Sequence, residues 1–256
     1  MLNWLRSLLR FPDTRRKLIP DELWQQTVAQ YAFLASRPEE DKSKLHALVE
    51  QFLAQKQFSG AHGLFVTDAM AVAIAAQACL PVLHLGLQLY NDFEGIVVHP
   101  GTMLARRNVV DAAGVHHFYK EELVGEAMQG GPITLSWKDA VASAEHLECG
   151  YNVVIHEFVH KLDMRDGSAN GCPPLPSRQA RKAWQAAMQP AYGTFREQVV
   201  MAERFGGRAP WLDAYAATSP AEFFAVTSEA YFVSQKRFEA DFPALKILFD
   251  RYFSAG

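Results

Sequence analysis

Cysteine is scarce in this sequence. Only Cys79, Cys149 and Cys172 occur among 256 residues, and no two form a Cys-x-x-Cys pair. An odd, scattered set of thiols builds neither a disulfide frame nor a Cys-rich zinc site, and it fits a reducing compartment. Positive charge is not in excess either: 25 Lys and Arg against 28 Asp and Glu give a net charge of −3. A general nucleic-acid binder needs a basic surface, so direct binding to nucleic acid is not expected. No apolar run is long enough to span a bilayer, since the most apolar stretch, 70–89, is interrupted by Gln77, Pro81, His84 and Gly86. Arg6 and Arg10 break the apolar stretch that a secretory leader would require. The expectation is a cytoplasmic protein with no membrane span. Leu2, Leu5, Leu8 and Leu9 could line a short basic surface helix, but a docked or frayed terminus is the plainer alternative.

What is present suits a packed domain. Hydrophobic residues make up 49% and charged residues 21%, enough for a sizeable core. No internal repeat or low-complexity linker divides the chain, so 1–256 is expected to form a single α+β domain. A helical part over about 1–90 precedes a strand region and a central helix over about 91–165, and a second helical part covers about 178–256. Within it, Asp21–Leu34, Glu39–Gln57 and Ala69–Cys79 carry helical patterns, the last begun by a Thr67-Asp68 cap. Gly95–Val98 and Ile133–Trp137 read as strands, and 91–94 and 108–113 as loops or short edge elements. The pattern predicts further helices over Arg178–Met188, Ala191–Phe205, Pro220–Phe232 and Phe242–Phe253, with a stiff loop at 165–177.

The chemistry concentrates in His156-Glu157-Phe158-Val159-His160, inside the apolar run Tyr151–Leu162. On a helix, residues four apart project about 40° from each other one turn up, so both imidazoles reach one metal ion. Glu157 stands beside them as the candidate base of a zinc metallopeptidase, the His-Glu-x-x-His pattern. The motif alone arises by chance. Its setting adds weight, because polar groups brought into an otherwise apolar helix are costly unless something pairs with them.

Such a centre needs a third protein ligand and an open fourth position. The three-histidine extension is excluded, since Asp163 and Asp166 occupy the positions of its glycine and last histidine. Cys172 is a weak candidate, which leaves Asp163, Asp166, Glu197, Glu203, Glu222 and Glu229. Glu222 is the best of them: Ser219 and Pro220 open a helix around it in a strongly apolar segment. The plainer alternative is a first-turn acid favoured by the helix dipole. Glu229, seven residues on, could accept the ring N–H of a ligand histidine.

Several segments together carry a resemblance: Ala75–Leu80, Gly95–Pro100, Leu135–Trp137, Gly150–Asp163 and Pro220–Val226. From about residue 20 onward the chain resembles the Mlc titration factor A family. The resemblance implies a zincin-like (gluzincin) fold related to the catalytic domain of anthrax lethal factor, and one Zn²⁺ per chain. It implies His156, His160 and Glu222 as metal ligands and Glu157 as the catalytic glutamate. It also singles out Tyr215, seven residues before Glu222, as a phenol facing the metal and able to donate to an oxyanion; a core or rim tyrosine is the plainer alternative. Met128 departs from the aromatic residue common there, and 142–148 is less glycine-rich than the family pattern. The implied activity is hydrolysis of short peptides, aminopeptidase-like. The implied protein partner is an Mlc-type glucose-responsive repressor. An anti-repressor that acts mainly by sequestering that partner, with little proteolysis, is the alternative.

Overall fold

The computed structural model of the chain describes residues 19–110, 116–142 and 150–254, and between 104 and 122 the backbone alone. The basic terminus, Cys149 and most of 142–148 therefore lie outside the described residues.

Pro20 precedes α1 (Asp21–Gln30), whose first turn holds Asp21 and Glu22. The expected continuation to Leu34 is broken at Tyr31, which is extended (φ −114°, ψ 106°) before α2 (Ala32–Ala35) begins. Tyr31, Phe33 and Leu34 are all buried. An unbroken helix would point Tyr31 and Phe33 about 160° apart, so the break lets both enter one core. Next, α3 (Glu39–Gln55) buries Leu45, Val49 and Phe52 at helical spacing. It leads into β1 (Gln57–Gly60), a strand the sequence conceals because only Phe58 in it is apolar. Thr67 caps α4 (Asp68–Cys79), its hydroxyl accepting the Met70 N–H at 3.2 Å, and everything from Val72 to Cys79 is buried.

Then come β2 (Gly95–His99), β3 (Met103–Val110), β4 (His116–Leu123), β5 (Gly125–Ala127) and β6 (Ile133–Ser136). One sheet has the order β1-β2-β6-β5, its first three strands parallel and β5 antiparallel at the edge. β3 and β4 form a separate antiparallel ribbon, Met103 opposite Leu123. Of the loop or short edge element expected over 108–113, Asn108–Val110 end a strand, while 111–113 lie outside the described residues. The ribbon escaped the sequence reading because its apolar and polar residues do not alternate. The strand at Ile133 stops one residue early, and Trp137 instead starts α5 (Trp137–Ala142).

The central element is α6 (Val153–Asp163), capped by the Asn152 side chain, which accepts the Ile155 N–H at 2.9 Å. Its Phe158 ring packs against Phe52, Tyr90 and Phe93 at centroid distances of 5.1–5.9 Å. Beyond the loop, α7 (Arg178–Phe205) runs unbroken through Pro190, where two helices were expected. Proline forfeits one backbone hydrogen bond. Trp184 and Met188 before it and Phe195 and Val199 after it are all buried, which holds both halves in line. The chain ends with α8 (Pro220–Val233), an unanticipated short α9 (Gln235–Asp241), and α10 (Pro243–Phe253). Phe249 joins Trp184, Phe224, Tyr231 and Phe238 in an aromatic core, with centroids 5.6–5.8 Å from its own.

Candidate metal centre

Two rows of side chains leave α6. His156 and His160, one turn apart, face α8. Glu157 and Lys161, also one turn apart, face the β5–β6 hairpin.

The first row meets Glu222, which Ser219 places by accepting its backbone N–H at 3.1 Å in the first turn of α8. His156 Nε2 lies 3.0 Å from Glu222 Oε2, and His160 Nε2 lies 3.2 Å from the same oxygen. The two Nε2 atoms are 3.1 Å apart. A tetrahedral centre with ligand bonds of about 2.0–2.1 Å has edges of about 3.3 Å, so the three donor atoms fit around one ion. Among the described residues they are the one group of three His, Cys, Asp or Glu side chains able to hold a metal. A first-turn position and a place among the three donor atoms are therefore compatible for Glu222.

Glu229, two turns along α8, lies behind His156. Its Oε1 is 2.7 Å from His156 Nδ1, and its Oε2 accepts the backbone N–H of Asn152. Asn152 in turn donates from its side chain to Gln77 Oε1 at 2.8 Å. A proton held on Nδ1 leaves Nε2 free as a donor to metal. Burial disfavours charge on His156, but Glu229 and Glu222 outweigh it and hold the ring well above the ordinary histidine range. Burial likewise opposes ionisation of Glu222, yet hydrogen bonds from both histidines hold its carboxyl down at about 2.

The other acids have different occupations. Asp163 Oδ2 accepts the N–H groups of Asn170 (2.8 Å) and Gly171 (2.7 Å), and its Oδ1 accepts that of Cys172 (3.0 Å). It shapes the loop and is not a ligand. Asp166 pairs with Arg181 at 2.7 Å, and Glu197 and Glu203 are exposed on α7. The Cys172 thiol is buried and belongs to this same loop wall.

Glu157 is buried on the floor of a cleft of about 840 Å³ that His156, His160 and Glu222 also line. Burial raises its carboxyl pKa, with His156 and His160 pulling the other way. Tyr215 stands on the rim in a 3₁₀ turn (Ala214–Ala217), 46% exposed, its ring centroid 6.3 Å from that of His156. Asp213 holds the turn by accepting the Tyr215 N–H at 2.9 Å. Ala169, from the expected loop, and Met164, just before it, line the cleft as a wall.

The strand that lines the cleft is β5 and not the more apolar β6. β6 is paired on both sides, to β2 and to β5, and has no free edge to offer. The edge is β5, and Gly125, Glu126 and Ala127 line the cleft. Sequence reasoning also missed Asn152, Gly125 and Lys161. A cap position before an apolar helix could have flagged Asn152; the other two act through distant contacts that no local pattern carries.

The sequence profile of the glucose-regulated metallo-peptidase M90 family matches residues 4–254. The chain belongs to this metallopeptidase family. Among similar proteins, Mlc titration factor A of Salmonella arizonae is 34% identical over 234 residues, 91% of this chain and 90% of that protein. Mlc titration factor A of Enterobacter sp. strain 638 is 33% identical over 241 residues, covering 93% and 88%. The protein of that name from Escherichia coli O1:K1 is 34% identical over 231 residues, covering 90% and 84%. The α+β fold of this M90 member, with a small sheet over the site helix, is that of a zincin-like metallopeptidase.

Proposed function

We propose that the chain is a zinc-dependent peptidase of one domain that hydrolyses short peptides from the N-terminal side. The observation that carries this is the convergence of His156, His160 and Glu222 in the cleft that also holds the buried Glu157. Two imidazoles and one carboxylate with an open fourth position are the donor set of catalytic zinc, which when bound supplies Lewis acidity and an activated water. Glu157, its pKa raised by burial, takes the proton as general base and returns it to the leaving amine. The Tyr215 phenol donates to the oxyanion. Substrate backbone pairs with the free edge of β5.

The cleft walls support a cationic end on the substrate. Glu126, Asp139 and Asp213 line it beyond the groups already assigned, and no Lys or Arg is among the described lining residues. A peptide's free α-ammonium is the cation such walls favour. The Glu157→Gln variant should retain zinc by elemental analysis and lose hydrolysis of a short-peptide panel by at least about a thousandfold, given what general base catalysis and positioning contribute. Retained turnover in that zinc-loaded variant sinks the assignment.

The name shared by the relatives supports a protein partner of the Mlc repressor type, and a regulatory role through binding it. Titration and catalysis separate in the same variant: if Glu157→Gln still relieves repression, sequestration is the operative act. No helix among the described residues is long and apolar enough to cross a membrane. With Cys79 and Cys172 both free, this supports a cytoplasmic location.

A further inference from the structure

We propose that Gly125 of the edge strand is the positioning residue for the Glu157 carboxylate, an inference that rests on Glu157 acting as the base. A β-carbon built on Gly125 would stand 2.4 Å from Glu157 Oε1, 2.6 Å from its Cγ and 2.8 Å from its Cδ. Contacts under 3.0 Å are not tolerated, so any side chain here displaces something.

Backbone conformation does not explain the glycine. Gly125 is not among the residues with positive φ, and it pairs regularly with Leu135 in the sheet. Gly130, in the turn of the same hairpin, is the reverse case: φ is +62° and nothing lies within 4 Å of its β-position. Gly130 is needed for its conformation, Gly125 for its missing carbon.

Whether strand or carboxylate would yield is decided by how each is held. The strand is pinned by three pairs to β6 and by the Ser136 N–H donated to Val124 O at 2.8 Å. Its hairpin turn is pinned by Lys161, whose buried ammonium donates to Met128 O and, at 2.7 Å, to Gly131 O. Lys161 is one turn beyond Glu157 on the same face of α6, so the helix that carries the base also ties down the strand beside it. No hydrogen bond to another described residue orients the Glu157 carboxylate. The bare Cα of Gly125 is the wall it lies against. A larger residue at 125 therefore swings the carboxylate and leaves His156, His160 and Glu222 where they are.

The test is a four-protein cycle of wild type, Gly125→Ala, Glu157→Ala and the double variant, each zinc-loaded. Gly125→Ala should melt about 3–10 °C below wild type, as overpacking does in a protein this size. In the Glu157→Ala background the same change should cost under about 2 °C, because the group it strikes is gone. Zinc stoichiometry should be unchanged, while kcat on a short peptide falls about 100-fold with KM held within about threefold. Equal melting shifts in both backgrounds, loss of zinc, or an unchanged kcat each overturns the proposal. Should Gly125→Ala fail to fold, recovery of folding in the double variant supports it and failure of both overturns it. Should wild type cleave nothing, the peptidase reading alone falls, and the melting cycle still decides whether Gly125 sets the carboxylate.

Discussion

Glu229 binds two groups that would otherwise have nowhere to go, the His156 Nδ1–H and the Asn152 N–H at the mouth of α6. It thereby orients one ligand ring and anchors the start of the helix that carries both histidines. Glu229→Ala should weaken zinc binding about 10–100-fold, measured by competition with a chromophoric chelator, because partners behind ligand histidines contribute that much. At this scale the sequence was informative where spacing encodes geometry. His156, Glu157 and His160 were legible because a four-residue step is nearly one helical turn, and Glu222 because Ser219 and Pro220 mark a helix start. Gly125 and Lys161 were not, since what they do depends on atoms some 30 residues away in the chain.

Among the elements, the β5–β6 hairpin and α6 act as one unit through the Lys161 ammonium. Its two carbonyl partners lie at the hairpin turn, and its side chain is fully buried. Lys161→Met should keep the apolar stem yet leave those carbonyls without a donor, lowering unfolding free energy in urea by about 3 kcal/mol. A change within about 0.5 kcal/mol would show that the hairpin is held by its ladder alone. Helices with one exposed face were readable from their apolar periodicity, and α4, buried all round, from its Thr67-Asp68 start and the stop before Pro81. The elements that escaped include β1 with one apolar residue, the β3–β4 ribbon, the three-residue β5 and the seven-residue α9. Pro190 misled in the other direction, because a local rule about proline is overridden when four flanking residues are buried on both sides. The cleft is lined by β5 rather than β6 for a topological reason. Strand order is fixed by long-range pairing, and nothing in Ile133–Ser136 announces that both its sides are occupied.

Across the whole molecule, a metal on His156, His160 and Glu222 would staple α6 to α8, two elements whose ligands stand 62 to 66 positions apart. Ligand binding to the folded state alone stabilises it by about 4 kcal/mol at a thousandfold excess over Kd. Stripping the metal with a chelator should therefore lower the melting temperature by about 10 °C in a chain of this size, and re-addition of zinc should restore it. An unchanged melting curve would mean that the triad binds no metal tightly. The fold class was legible because the order of helical and strand-like segments reflects it, but closure of the site was not, since it depends on α7 carrying the chain back. That return path sets a schedule for biosynthesis. The polypeptide emerges with its two histidines long before Glu222, which follows the second of them by 62 positions. Throughout that interval the nascent chain has only a loose imidazole pair. The three-donor site thus completes late and at once, when α8 docks, and no earlier stage of synthesis offers it.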